Sequence, residues 1–370
     1  MFLTIIVFLI ILSILVLGHE AGHYFMAKRL GVKVEEFGFG YPPRIFGKKI
    51  GETIYSLNWL PFGGFVRILG EDGPELRLSK RAKKRAFYYK PKRVRAVILV
   101  TGVVINVLIG ILAFTLIYAR TGIPTKTDEV KIVEVLDDSP AKGAGIENGD
   151  VVVFVAGAGE IKTAQKFIEI VSQRDGEKIS LTIRRGEERL DKEVVPRKEP
   201  PEDQGPLGVV ISDTEMKFYP LWLMPFYAGW YGIKEALGWA VMVVLGVKMM
   251  IWELITRGAL PKGIAGPVGI LQITSGVARS GLLATLQFLG ILSVNLAVIN
   301  IMPFPALDGG RLLFIGFEAV FGRRVRPKIE RWIHIIGFAF LISLLFLVTI
   351  NDVIRVIEPL GIFQKIKGLF

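Results

Sequence analysis

The chain of 370 residues contains no cysteine. That excludes a disulfide framework and any thiolate metal site, so a transition-metal centre here has to be built from His, Asp and Glu. Histidine is scarce too: His19, His23 and His334 are the only three, and two of them at ligand spacing is an improbable accident. No internal repeat is visible, which argues against the paired broken helices from which many transporters build an ion site. Apolar residues, by contrast, are plentiful. They make up 51% of the chain, and the mean hydropathy of +0.48 is too high for an ordinary soluble enzyme. These numbers describe a polytopic α-helical membrane protein with room for one soluble domain.

A net charge of +12 invites nucleic acid or anionic lipid as partners, but the charge is distributed as a topology signal. Between Lys28 and Arg95 there are seventeen Lys and Arg against six Asp and Glu. From Thr125 to Lys217 the balance reverses, with fourteen basic against twenty acidic residues. By the positive-inside rule the first stretch is cytoplasmic and the second lies across the membrane. The basic run Lys80 to Arg95 is therefore read as topology, and no nucleic-acid partner is expected.

Phe2 to Leu17 is apolar, lacks a basic n-region and a small-residue cleavage site, and resumes its apolar character at Tyr24. It reads as a retained first transmembrane helix (1–30) rather than a removed signal peptide. A basic loop (31–93) leads to a second transmembrane helix (94–120), interrupted only by Thr101, Asn106 and Thr115 within Val94 to Tyr118. Residues 125–198 lose membrane character: Lys131 to Leu136 and Ile179 to Arg184 alternate as strands, with turn clusters at Asp137-Asp138-Ser139-Pro140 and Arg185-Gly186. A third transmembrane helix (282–310) and a fourth (329–351) follow, joined by a basic loop, and a C-terminal tail (352–370) closes the chain. The apolar segment 218–258 is flanked at its core by Lys234-Glu235 and Lys248, leaving about a dozen clean residues where a span needs about 20. It is expected to be an interfacial amphipathic helix. Asn106 and Asn295 are expected to bond between helices, Trp222, Trp230, Trp239 and Trp252 to anchor at the interface, and His334 to be a packed residue rather than a ligand.

The chemistry concentrates in His19-Glu20-Ala21-Gly22-His23. Histidines four apart share one helix face, one turn apart, and can hold a single zinc ion; Glu20 then falls beside the attacking water as general base. Two His and a Glu at this depth are costly unless they line a cavity or bind something. A catalytic zinc needs a third protein ligand, and Asp308, in Asn300-Ile-Met-Pro-Phe-Pro-Ala-Leu-Asp308-Gly309-Gly310, closes the third span at a matching depth.

The transmembrane HExxH and the distal Asn-x-x-Pro-x-Pro-x-Leu-Asp-Gly together resemble the site-2 protease family of intramembrane zinc metalloproteases, in particular the regulator-of-sigma-E protease group with a single PDZ domain. The resemblance implies His19, His23 and Asp308 as zinc ligands, Glu20 as catalytic glutamate, and Asn300 as holding substrate or the oxyanion. Ser139-Pro140-Ala141, Ala144-Gly145-Ile146 and Asn148-Gly149-Asp150 are similar to a PDZ core. Gly266-Pro267-Val268-Gly269 resembles a short family motif, and Thr53 to Arg67, about Pro61-Phe62-Gly63-Gly64, the family's membrane re-entrant hairpin. Val103 stands where many members have Pro, and Tyr41 interrupts the usual Gly-Phe-Gly-Pro; neither touches the zinc site. The implied function is cleavage of single-span membrane proteins, such as anti-sigma factors or signal-peptide remnants, in the inner membrane, with an extracytoplasmic PDZ domain that docks a peptide or filters by size. The competing readings are a non-proteolytic zinc-binding scaffold, against which the intact Glu20 stands, and a transporter.

Overall fold

The computed structural model describes residues 2–71, 73–74, 78–201, 204–258 and 266–357; most of the expected C-terminal tail lies outside them. In chain order the elements are α1 (Phe2–Arg29), β1 (Val34–Ile50), β2 (Thr53–Ile68), α2 (Lys80–Lys83), α3 (Lys92–Thr121), β3 (Ile123–Val135), α4 (Pro140–Gly143), β4 (Val151–Val155), β5 (Gly159–Glu160), α5 (Ala164–Ser172), β6 (Ile179–Arg185), β7 (Glu188–Val194), β8 (Val209–Lys217), α6 (Met224–Arg257), α7 (Pro267–Ser280), α8 (Leu282–Ile301), α9 (Asp308–Phe321) and α10 (Pro327–Ile357). They form two compact units, 119–224 and the remainder.

In the larger unit, glycine lets the apolar helices approach closely, as is usual where lipid replaces water and packing drives association. A Cβ on Gly22 of α1 would stand 2.7 Å from the Thr101 carbonyl oxygen of α3, and one on Gly110 of α3 2.7 Å from Val294 of α8. α8 runs beside α1 in the same sense: Ile11 and Leu15 pack with Phe288, Leu292 and Leu296, and Asn300 reaches His19. Ser293 Oγ donates to the Asn106 carbonyl oxygen at 2.7 Å, so the interhelical bond runs through backbone. The fully buried Asn106 side chain makes none among the described residues, contrary to the expectation for it.

Among the described residues, five helices, α1, α3, α6, α8 and α10, are long and apolar enough to cross a membrane. The sequence predicts four spans with 218–258 as an interfacial amphipathic helix; α6 is a further helix that has the length and composition of a span. α6 is one continuous helix of 34 residues that runs through its charged flanks. Glu235 is the reason it can: its carboxylate accepts from Tyr118 Oη at 2.9 Å and from Trp239 Nε1 at 3.1 Å, so its charge is satisfied by protein. Trp239 is thereby a half-buried donor to Glu235, while Trp222, Trp230 and Trp252 stay exposed.

β1 and β2 are long strands that each bend into two arms. A two-residue turn at Gly51, with φ +64°, joins them, so Thr53 to Arg67 is not the self-contained hairpin expected but all one strand. The outer part of β1 pairs back across the turn, Arg44 opposite Asn58 and Ile50 opposite Thr53. The inner arm of β1 is paired on both sides: Val34 and Phe39 stand opposite Ile68 and Gly64, and Glu36 and Phe39 also opposite Ile54 and Leu57. Glu36, buried, accepts from Arg44 Nη2 and Ser56 Oγ, both at 2.7 Å, and Asn58 Nδ2 donates to the Gly40 carbonyl at 3.1 Å. These bonds hold the arms together. The sheet meets α1 above the histidines, since a Cβ on Gly64 would touch Leu17 at 3.1 Å and Val16 at 3.9 Å. Tyr41, Ile45, Phe46, Leu57, Trp59 and Leu60 are exposed on it.

Residues 119–224 form a separate unit with strand order β7-β6-β4-β3-β8, β5 pairing with β4. Strand alternation builds its core: Ile179, Leu181 and Ile183 of β6 are at most 1% exposed and their neighbours are not. Phe167 and Val171 of α5 pack onto them. Ser139 Oγ accepts from Lys142 N–H at 3.1 Å and Thr163 Oγ1 from Lys166 N–H at 3.3 Å, capping α4 and α5. β8 pairs with β3 from Ile123 opposite Lys217 to Val135 opposite Val209, so the unit extends beyond the expected 125–198. Asp150, 1% exposed, accepts from Arg185 Nε at 2.8 Å and from the Glu147 N–H at 2.8 Å.

Candidate metal centre

α1 sets His19 and His23 one turn apart with ring planes at 89° and Nε2 atoms 3.2 Å from each other. Both residues are 7% exposed. His23 Nδ1 lies 2.9 Å from the Ile98 carbonyl oxygen of α3. Donating its Nδ1–H there leaves the Nε2 lone pair free for a metal, the arrangement usual for ligating histidine. Room for the two rings comes from α3: a Cβ on Gly102 would stand 2.5 Å from His23 Nε2 and 2.9 Å from His19 Cε1.

Asp308 is the first residue of α9. Its Oδ2 lies 3.0 Å from His19 Nε2 and 3.2 Å from His23 Nε2, so the structure brings all three expected ligands together. Yet Oδ2 is buried and receives no hydrogen bond, and the buried His19 Nδ1 has no partner either. Three ligand atoms, two imidazole nitrogens and a carboxylate oxygen, held near 3 Å apart have the character of a metal site. Ligands about 2.0–2.1 Å from a tetrahedral zinc stand about 3.3 Å from one another, and the observed triangle matches that within a few tenths of an ångström. Among the described residues this is the only group of three such side chains close enough to hold an ion.

Asn300, at the end of α8, places its Nδ2 3.4 Å from His19 Nε2. Glu20 is half-buried and engages no hydrogen bond or ion pair among the described residues. Between Asn300 and Asp308 the chain makes a compact turn, with Ala306 at φ +76° and its N–H donating to His334 Nδ1 of α10 at 2.9 Å. Cβ atoms on Gly309 and Gly310 would collide with the carbonyls of Met302 and Phe304, which is why the turn ends in two glycines. Sequence reasoning missed Gly102, the Ile98 carbonyl and the contact of His334. A small residue in each of α1 and α3 was visible, but nothing local says that the two face each other.

The arrangement is that of a mononuclear zinc hydrolase built within apolar helices, and relatives of the chain agree. It is 33% identical to a putative zinc metalloprotease of Clostridium perfringens, over 95% of this chain and 98% of that one. It is 29% identical to the zinc metalloprotease RasP of Oceanobacillus iheyensis, over 95% and 99%. A model of peptidase family M50 matches residues 7–344, and the chain belongs to that family, the site-2 proteases, as a multi-pass membrane zinc metalloprotease. Among solved structures, the PDZ domain of an SdrC-like protein of Listeria monocytogenes is similar at 20% identity and a TM-score of 0.21, covering 25% of this chain and 95% of that one.

Proposed function

We propose that the protein hydrolyses peptide bonds within or beside the transmembrane segment of single-span membrane proteins. One observation carries this reading: three ligand atoms converge beside an unengaged Glu20 inside a bundle of apolar helices. His19, His23 and Asp308 would hold the zinc, which would supply Lewis-acid polarisation of the scissile carbonyl and a water of lowered pKa. Glu20 takes the proton of that water and passes it to the leaving amine. Asn300 donates to the developing oxyanion.

A helical substrate has its carbonyls locked in hydrogen bonds, and backbone unwound in lipid must find new partners. The bent sheet offers them by strand addition. Its contact with α1 at Val16 and Leu17, on the lipid-depth side of the histidines, supports a re-entrant position. Because α1 and α8 run in the same sense, an odd number of crossings separates them, as α3 alone supplies when α6 lies in the interface. The basic stretch between α1 and α3 puts the metal site toward the cytoplasm and residues 119–224 outside, in an inner or cytoplasmic membrane. There, β8 is an edge strand, and the Ala164 N–H that opens α5 donates to Asp213 of β8 at 3.2 Å. Helix beside edge strand supports a PDZ-type role, docking a peptide or filtering by size. Substrates of this kind include anti-sigma-factor-like proteins and signal-peptide remnants.

The test is Glu20→Gln in reconstituted vesicles with a single-span substrate. Cleavage is expected to fall by about 10²- to 10⁴-fold, the usual worth of general acid–base catalysis, with zinc still bound. Cleavage that survives with zinc in place overturns the mechanism. Membrane fragments that accumulate with the inactive variant then identify substrates by proteomics.

A further inference from the structure

The two histidine ligands are fixed by one helix, but Asp308 follows a turn with no secondary structure of its own, and something must aim it. That turn lies on α10. Ala306, at φ +76°, is strained for a residue with a side chain, and its N–H is taken by His334 Nδ1 at 2.9 Å. One helical turn on, Gly337 is flat against Pro305, where a Cβ would stand 2.8 Å from the Pro305 carbonyl oxygen. One further turn on, the Phe340 ring sits 5.8 Å from that of Phe304. Three residues of one α10 face thus support three residues of the turn, and only His334 does so through a hydrogen bond to backbone. On the other side of the same short stretch, Asp308 Oδ2 meets His19 and His23.

We propose that His334 is a positioning residue for the metal centre: its Nδ1 accepts the Ala306 N–H and so holds the turn that aims Asp308 at the two histidines. This rests on the reading of His19, His23 and Asp308 as the zinc site. The role demands the tautomer with the proton on Nε2. It also demands an acceptor at one place, which separates two isosteric replacements. Asn carries its Oδ1 where His carries Nδ1, and Gln carries its Oε1 near the position of Nε2.

The experiment uses the full-length protein in detergent, with zinc affinity measured by chelator competition and ligand geometry by the absorption of the cobalt(II)-substituted protein. His334→Leu is expected to weaken zinc by about 10- to 100-fold, the usual cost of losing an outer-shell contact, and to change the cobalt spectrum, while His334→Asn stays within about threefold of wild type. Unchanged affinity and spectrum in a folded His334→Leu variant overturn the proposal. So does a His334→Asn variant as impaired as His334→Leu, since ring packing alone would then explain the loss. Should His334→Leu fail to fold, Asn against Gln decides: equal affinities overturn the proposal, and retention by Asn alone upholds it. His23→Ala keeps the two readings apart. If it leaves zinc affinity unchanged, the metal site itself is wrong, whereas a normal loss there beside an indifferent His334→Leu removes only the positioning role.

Discussion

The two compact units are held together by opposite means. Residues 119–224 close around an apolar core in which Val130, Ile132, Val155, Leu181 and Ile183 are at most 1% exposed, and Asp150 is the one charged side chain buried there among the described residues. The helical unit faces its apolar side chains outward, Leu3, Ile10, Leu112 and Phe346 among them, and buries polar ones, His19, His23, Glu36, Asn58 and Asn106. The first solution is stable in itself. The second is stable because surroundings of lipid cost it nothing, and the polar groups it buries are then free to do chemistry.

The sharpest way to break the contrast is to remove a ligand. His23→Ala is expected to lower zinc affinity by about a thousandfold, because binding energies of about 10–16 kcal/mol are shared among three or four ligands. Hydrogen exchange across 119–224 should be unchanged. Next comes Leu181→Ala in the other unit, with a cost of about 2–5 kcal/mol from lost burial and the cavity left behind. Exchange in 119–224 should accelerate while zinc affinity holds. If zinc affinity falls with it, the two units are not energetically separate.

Gly102→Ala tests whether the close approach of α3 serves the site. Overpacking of about 1–3 kcal/mol should appear as weaker metal binding, measured by chelator competition, with helix content intact by circular dichroism. The smallest effect is expected at Asp150. Burial opposes its ionised form, but Arg185 and the Glu147 N–H hold its carboxyl below the usual carboxylate range. A depressed folded value means that this contribution is complete above the unfolded pKa of about 3.9 and is lost as pH falls through the folded one. Arg185→Ala removes the depression, so about 1–2 kcal/mol of stability at neutral pH should disappear, and the acid limb in a pH series of exchange rates should flatten. An acid limb as steep as in the wild type would show that Arg185 is not its origin.

What could be read from the sequence followed the range of the interaction. The pairing of His19 with His23 is a matter of helix pitch, and β6 declares itself by alternation. Asp308 was within reach because its depth could be counted from the ends of two spans. The length of α6 was not legible because Lys234 and Glu235 look like the end of an apolar run; that Tyr118 donates to the Glu235 carboxylate depends on a helix more than a hundred residues earlier. The double pairing of the inner β1 arm was hidden for the same reason. A run of alternating residues says that a strand forms, not how many neighbours it takes.

The separation of the ligands along the chain has a biosynthetic consequence. His19 and His23 emerge from the ribosome well before Asp308, which follows only after α3, the inserted unit, α6, α7 and α8. Until then the nascent chain carries two thirds of a metal site. By the geometry described above it also waits for α10 to support the last ligand. The protease thus gains its complete metal site only after α9 and α10 have followed the first helix by about three hundred residues.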